Sequence, residues 1–414
     1  MMLSVDFKSD EAVRDPYALL ARLRAEEPVH WNEGLGAWCL STFRDVDEAF
    51  KDARFSSDRI RPFVDAQAAP SRTGPAAAHA RALGRCLSLW MVFNDPPAHT
   101  RLRGLVAQAF TRRAVEALRP RVAATVDALM DAFVPTGRAE LIQDFAYPLP
   151  AIVIADMLGV PREAIDALKR WSDDVAQFVL AARNTPDRYE RAATSLEEML
   201  DYFAELVRRR RAAGGGEDII DALIAAHEGE DRLTLEELLS SCVLLLFAGH
   251  ETTTHFLANG LRALALHPAA LERLDAGGED GAAWRNAINE MLRWDGPSIS
   301  QLRVAREDVE RGGRTIRRGE RVYLFIAGAN RDETVFERPD LFDVDRPNAL
   351  KQLAFGTGIH LCLGAHLARL EGEVAFPRLV RRLRNIELDE PEPDWTDSLV
   401  IRSMRRMPLR FQGA

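Results

Sequence analysis

Apolar positions recur with a period near 3.6 along most of the chain, and this predicts helices over 16–26, 98–110, 114–133, 162–182, 187–211, 235–267, 282–294 and 362–384. Strand-like alternation is brief, at 30–31, 37–41, 315–316 and 321–326. The small-residue stretch Ala68 to Ala82 reads as a loop or a short helix. No linker rich in Pro, Gly or Ser divides the chain, and no internal repeat appears. The pattern predicts one large, mainly α domain over residues 1–414 with small β-sheets.

The longest periodic segment runs from Thr234 to His267. Thr234 and Glu237 have capping-box spacing, and His267-Pro268 marks a stop. At about 1.5 Å per residue such a helix is about 50 Å long, enough to cross a domain. Its middle, Cys242 to Ala248, is apolar nearly all round and is expected to be buried. Directly after it come Gly249, His250, Glu251, Thr252, Thr253 and Thr254; the glycine and the three threonines are poor helix formers, and the threonine hydroxyls can bond back to the preceding turn. A buried, water-filled kink and a functional turn both account for that break in pattern.

Composition narrows the class. The chain has 414 residues, 47% of them hydrophobic, and a net charge of −9, which argues against nucleic-acid binding. Its four widely spaced cysteines, Cys39, Cys86, Cys242 and Cys362, form no disulfide framework and suit a reducing compartment. The first residues are charged rather than apolar, and no run approaches the roughly 18 apolar residues of a membrane span. A soluble, cytoplasmic monomer is expected. The basic run Arg208–Arg211 ends a helical pattern and reads as a solvated, dipole-complementing helix end.

Candidate chemistry concentrates at Cys362. Gly356 and Gly358 precede it and permit turn conformations closed to other residues, while Leu363 to Leu370 reads as the start of a helix. A thiol at a helix N-terminus is favoured as the thiolate, and a glycine loop leaves one side open to a flat metal cofactor. A buried structural cysteine is the plain alternative, and it is the better reading for Cys39, Cys86 and Cys242. His250-Glu251 suggests a zinc-peptidase helix, but the next histidine, His255, is five positions on. At about 100° per residue the two imidazoles point about 140° apart, so they do not share one zinc ion. Leu361 also breaks any Gly-x-Gly-x-x-Gly dinucleotide fingerprint.

The run Phe355-Gly356-x-Gly358-x-His360-x-Cys362-x-Gly364 resembles the haem-binding loop of the cytochrome P450 family, in its bacterial, soluble form. The resemblance implies haem b as cofactor, with Cys362 the axial ligand to its iron and Phe355, Gly356, His360 and Gly364 around it. Ala248-Gly249-x-Glu251-Thr252 resembles the family's oxygen-activating stretch. There the helix is widened to admit dioxygen, Thr252 steadies the bound oxygen and Glu251 relays protons. Asp95-Pro96-Pro97-x-His99-x-x-x-Arg103 resembles the helix that contacts the haem propionates, with Asp95 expected as its N-cap. Arg303 and His360 match two further propionate contacts. Glu290-x-x-Arg293 and Arg346 match a structural triad that fixes the cysteine loop. By position, Trp90, Met91, Val92, Phe178, Val179 and Leu244 are substrate-pocket candidates. So are Ala248, Ile299, Ser300, Val400 and Ile401, although each is equally readable as plain core. Arg402-Ser403 stands where Arg-Gly or a small pair is common in the family, which leaves the pocket floor near Ile401 open.

The implied activity is a monooxygenase that inserts one atom of dioxygen into a hydrophobic small molecule such as a terpenoid, steroid, fatty acid or macrolide. No flavin or iron–sulfur motif is evident, so electrons are expected from a ferredoxin and an NAD(P)H-dependent ferredoxin reductase. Arg112, Arg113 and Arg369 are candidates for a docking face. A peroxide-driven haem enzyme and a non-catalytic haem sensor are the alternatives, and neither needs the Glu251–Thr252 pair.

Overall fold

Helix-forming sequence carries most of the fold, with capping chemistry written at several ends. The computed structural model describes residues 3–68, 73–180, 187–214, 218–228, 233–278 and 281–413. Positions 69–72 of the small-residue stretch and 181–182 of the expected 162–182 helix lie outside the described residues. Pro16–Glu26 is a helix whose N-cap, Asp15, accepts hydrogen bonds from the Tyr17 and Ala18 amides. The long helix is Leu235–Leu266. Thr234 and Glu237 make the reciprocal capping box, each backbone amide bonded to the other's side chain at 2.9 and 3.1 Å. The next helix, Pro268–Ala276, starts after His267 with proline at its first position. Helices Arg188–Ala213, Gly281–Asp295 and Ala365–Arg382 also follow the periodic pattern closely.

The described residues group into two compact units, and the chain passes between them four times. The first comprises 1–55, 112–150 and 251–414 and holds the small sheets. Strand Val29–Asn32 pairs antiparallel with Ala37–Leu40, which lies parallel to Arg321–Leu324, and that strand pairs antiparallel with Gln301–Ala305. An apolar cluster that includes Trp38, Leu40, Phe50, Val322 and Leu353 packs this sheet against the helix Phe43–Lys51. The C-terminal strand Pro408–Gly413 pairs with Arg138–Glu140 and Leu383–Leu388. The helix Ala365–Arg382 packs on Arg119–Phe133 and Gly281–Asp295. The second unit, 56–111 and 151–250, is helical and includes Pro75–Leu87, Ala98–Ala107 and Ile165–Val179.

Three expectations change in detail. The pattern over 362–384 ends as a helix at Arg382, and Leu383 begins a strand. Gln301–Ala305 is a strand that periodicity does not show, because the buried position at its centre is Arg303 rather than an apolar residue. Asp95 is not a side-chain cap, since Ala98–Ala107 follows Pro97 with no side-chain cap bond. The Asp95 carboxylate instead accepts from the Ser57 amide at 3.0 Å and from the Ser56 hydroxyl.

Candidate active site

The cysteine loop lies in the first unit and is shaped by its glycines. Gly356 and Gly358 have φ of 66° and 70°, and a Cβ on Gly358 would stand 3.0 Å from the Phe50 carbonyl oxygen. Between them the chain reverses, and the Cys362 amide donates to the Phe355 carbonyl at 2.9 Å. Gly364 is the N-cap of Ala365–Arg382, so Cys362 stands two residues before the positive end of that helix dipole. Cys362 is exposed, whereas Cys39, Cys86 and Cys242 are buried. Burial pushes the Cys86 thiol up to about 11, with hydrogen bonds from Ser240 and Trp90 opposing, and it pushes Cys39 and Cys242 higher still. Arg369, one turn into the helix, lies over the Phe355 ring at 4.4 Å. Burial pulls its guanidinium pKa down, while the negative charges of Cys362 and Glu373 oppose that shift. Arg369 is thus turned toward the cysteine loop, unlike the exposed Arg112 and Arg113.

Glu290, Arg293 and Arg346 form the buried network that the family resemblance implied. Arg293 donates to Glu290 at 2.7 and 2.8 Å, and Arg346 Nε donates to the same carboxylate at 3.0 and 3.1 Å. Their remaining donors go to backbone carbonyls of Asn330, Glu337, Arg338, Pro339 and Leu341. A continuous route leads on to the cysteine. Arg293 holds the Asn330 carbonyl, the Asn330 side chain accepts from the Leu353 amide at 2.7 Å, and the Leu353 carbonyl accepts from Gly356. Asn289, which the sequence reading missed, accepts from Gln352 at 3.3 Å and from Arg369 at 3.5 Å. Its only sequence signal is adjacency to Glu290.

The long helix is assigned as α-helix without interruption through Gly249–Thr254, so the polar turn does not break it. Burial there is nonetheless uneven. Residues 241–247 and 253–261 are buried, whereas Ala248 is exposed and Gly249, Glu251 and Thr252 are half-buried. Positions 248, 249, 251 and 252 sit three and four apart on one side, so between residues 240 and 261 the helix is open along that stripe alone. Gly249 also meets a packing demand, because a Cβ there would stand 2.7 Å from Ile154 Cγ1. Glu251 Oε1 lies 3.4 Å from His255 Nε2 one turn on. Among the described residues no group of three or more His, Cys, Asp or Glu side chains is arranged to hold a metal ion.

The remaining candidates fall in separate places. His99 is buried in the first turn of Ala98–Ala107 in the second unit, and burial lowers its imidazole pKa, Arg103 adding to the effect and Asp95 opposing it. Arg303 is 5% exposed, lies 5.3 Å from the Phe50 ring centre and donates to the Leu302 carbonyl. His360 closes the short turn Gly358–His360, half-buried. Of the pocket candidates, Trp90 is 1% exposed between Phe93 and Phe247, at ring distances of 5.8 and 5.5 Å, and is core of its unit. Met91 and Leu244 are buried, Val92 is exposed, and Phe178 and Val179 are half-buried. Ile299, Ser300 and Ile401 are buried and Val400 is half-buried, all on one C-terminal turn and the strand entry beside it.

The donor set fits an iron porphyrin. An exposed thiol stands in a glycine-lined turn at a helix N-terminus, flanked by the exposed apolar side chains of Ile359 and Leu361. Arg303 and His360 supply groups of the right chemistry for propionates in the first unit, as His99 and Arg103 do in the second.

Comparison with known proteins agrees with that reading. The family model Cytochrome P450 matches residues 61–276 and 284–407. The monooxygenase PikC of Streptomyces venezuelae is 39% identical over 410 residues, covering 96% of this chain and 91% of its own. The 6-deoxyerythronolide B hydroxylase of Saccharopolyspora erythraea is 35% identical, covering 99% of each chain. The solved structure of P450BioI, in complex with acyl carrier protein ligated to hexadec-9Z-enoic acid, superposes with a TM-score of 0.87 at 32% identity. It covers 97% of this chain and 100% of that one. With its cysteine loop, its buried triad and its relatives in agreement, the chain belongs to the cytochrome P450 family and is a haem b monooxygenase.

Proposed function

We propose that this protein hydroxylates or epoxidises a hydrophobic small molecule of terpenoid, steroid, fatty-acid or macrolide type, with dioxygen as co-substrate. Electrons come from a ferredoxin and its NAD(P)H-dependent reductase, and the enzyme works as a cytoplasmic monomer. The observation that carries the reading is the exposed Cys362 thiol in its glycine turn, in a chain whose long helix is open between residues 240 and 261 only along Ala248, Gly249, Glu251 and Thr252. Relatives support the substrate range, one named as a 6-deoxyerythronolide B hydroxylase and another solved with a fatty acyl chain on its carrier.

Haem b, when bound, supplies the iron at which dioxygen is activated. The residues of the chain do the rest. Cys362 holds the metal from the helix N-terminus, where dipole and thiolate charge are complementary. Arg369 adds a cation near that sulfur. Thr252 offers its hydroxyl as donor on the open stripe, and Glu251, half-buried beside it, carries protons through its carboxylate with His255 holding Oε1. Arg303, His360, His99 and Arg103 neutralise the propionates. The pocket candidates Val92, Phe178, Val179, Ile299 and Val400 carry apolar side chains apt for an apolar substrate.

The test is a spectral-shift screen of the ferric haem-loaded protein against a library of apolar compounds. Hits are then turned over with NADPH, a ferredoxin and its reductase, and separately with hydrogen peroxide alone. Oxygenated product that depends on the redox partners is expected. Product formed equally well by peroxide alone, or no apolar compound that shifts the spectrum, would contradict the proposal.

A further inference from the structure

The Arg402-Ser403 pair beside the candidate pocket floor has a structural counterpart. Arg402 is 6% exposed, and its guanidinium is fully engaged within the first unit. Nη1 donates to the Val13 carbonyl at 2.6 Å and Nη2 to the Arg14 carbonyl at 2.7 Å. These carbonyls end the short helix Asp10–Arg14, where unpaired backbone acceptors collect. Nε lies 3.4 Å from Asp295 Oδ1, and the plane stacks on Trp395 with its carbon 3.4 Å from the ring centre. Asp295 is held in turn by the Tyr17 hydroxyl at 2.6 Å and by Arg262 at 3.7 Å.

The backbone of the same residue belongs to the candidate substrate wall. The Arg402 amide donates to Pro297 at 2.7 Å, and its carbonyl accepts from Asn259 at 3.1 Å. The Ile299 amide donates to the Val400 carbonyl at 2.9 Å, and Ser398 Oγ accepts from the Val400 and Ile401 amides at 3.1 Å. Behind the turn is a small recess lined in part by Phe7, Val13, Pro16, Ile299, Phe325 and Ile401. Ile299 and Ile401 therefore meet the N-terminal segment on that side, while Val400 keeps some exposure. The Arg402 guanidinium thus joins the end of the first helix to the end of Gly281–Asp295, and its backbone continues the 398–401 turn.

We propose that Arg402 is a positioning residue, fixing the Val400–Ile401 turn against the N-terminal helices and so setting how large a molecule the substrate wall admits. The inference rests on the reading that Val400 faces the bound molecule. A lysine keeps the charge near Asp295 but cannot hold two carbonyls and a stacked ring together. The turn then loses its anchor while the haem site, held by the Glu290 network, does not.

The test uses the haem-loaded enzyme and three variants, Arg402→Lys, Arg262→Met and Val400→Ala. Two quantities are read, amide exchange over 10–14, 296–301 and 397–403, and the ratio of spectral dissociation constants for 1-octylimidazole and imidazole. Arg402→Lys is expected to raise exchange in all three segments by about ten-fold and to change the ratio by about five-fold, with the carbon-monoxide spectrum unchanged. Arg262→Met, which loses a cation from Asp295 and Trp395 without touching the turn, should leave both near wild type. Exchange that rises uniformly through the core, or an unchanged ratio in Arg402→Lys, overturns the positioning role. An unchanged ratio in Val400→Ala overturns the pocket reading and this inference with it, whereas a change there alone overturns only the role of Arg402. Should Arg402→Lys not fold, Asp295→Asn, which weakens the anchor without removing it, is read by the same two measures and the same criteria.

Discussion

Thr252 and Glu251 lie on the one accessible stripe of the 240–261 stretch of the long helix, which is buried on both sides of them. Thr252→Ala should keep reducing-equivalent consumption while diverting it to hydrogen peroxide, so that product per NAD(P)H falls and peroxide per NAD(P)H rises. Unchanged coupling would remove the threonine from proton delivery. A second residue makes a prediction of the opposite kind, about stability. Glu371 is 1% exposed on the helix Ala365–Arg382, and neither carboxylate oxygen has a hydrogen-bond partner among the described residues. Burial pushes its carboxyl well above the usual carboxylate range, so it is neutral in the folded protein where the unfolded chain ionises it. That difference stabilises the fold fully below the ordinary value near about 4.3, and the contribution is lost as pH rises through the folded value. Glu371→Gln should therefore gain Tm relative to wild type as pH rises from about 5 to about 8, in thermal melts at matched ionic strength. A difference that is flat or shrinks over that range would contradict the burial argument. Residues with a motif around them, such as Cys362 and Glu251, can be singled out from the sequence as candidates. Glu371 and Asn289 were not, because nothing local distinguishes a buried carboxyl or amide from an exposed one.

At the scale of elements, the triad predicts what happens when one partner leaves. Glu290→Ala strands two buried guanidinium groups, and a loss of about 3–5 kcal/mol is expected in denaturant unfolding. The haem-retention half-life should shorten with it, since the route from Arg293 through Asn330 and Leu353 ends on the Gly356–Cys362 turn. A variant with lowered stability but unchanged haem retention would separate the network from the loop. The long helix was legible to within a residue or two, because its capping box and its proline stop are local chemistry. What periodicity hid were elements whose buried face carries polar groups or whose context is supplied by a distant strand. Gln301–Ala305 buries Arg303, and Pro408–Gly413 owes its pairing to Arg138–Glu140, far away in sequence. The expected widening of the helix at Gly249–Thr254 is not seen in its assignment, and the stripe of exposure there is the feature that marks it instead.

For the whole molecule, the mainly α architecture with small sheets followed from counting helical and strand-like periods, and the superposition on P450BioI agrees with it. The grouping of residues into two units was not legible, since the chain crosses between them four times and no linker marks a crossing. Among the described residues no helix is long and apolar enough to cross a membrane. The central claim is that sulfur at position 362 holds haem iron. It is tested most directly by the carbon-monoxide difference spectrum of the reduced, haem-loaded protein beside its Cys362→Ser variant. The account predicts the red-shifted absorption band of thiolate-ligated haem in the wild type and its loss in Cys362→Ser, with Cys86→Ser unchanged. A band that survives Cys362→Ser, or that is never present in the wild type, would contradict it.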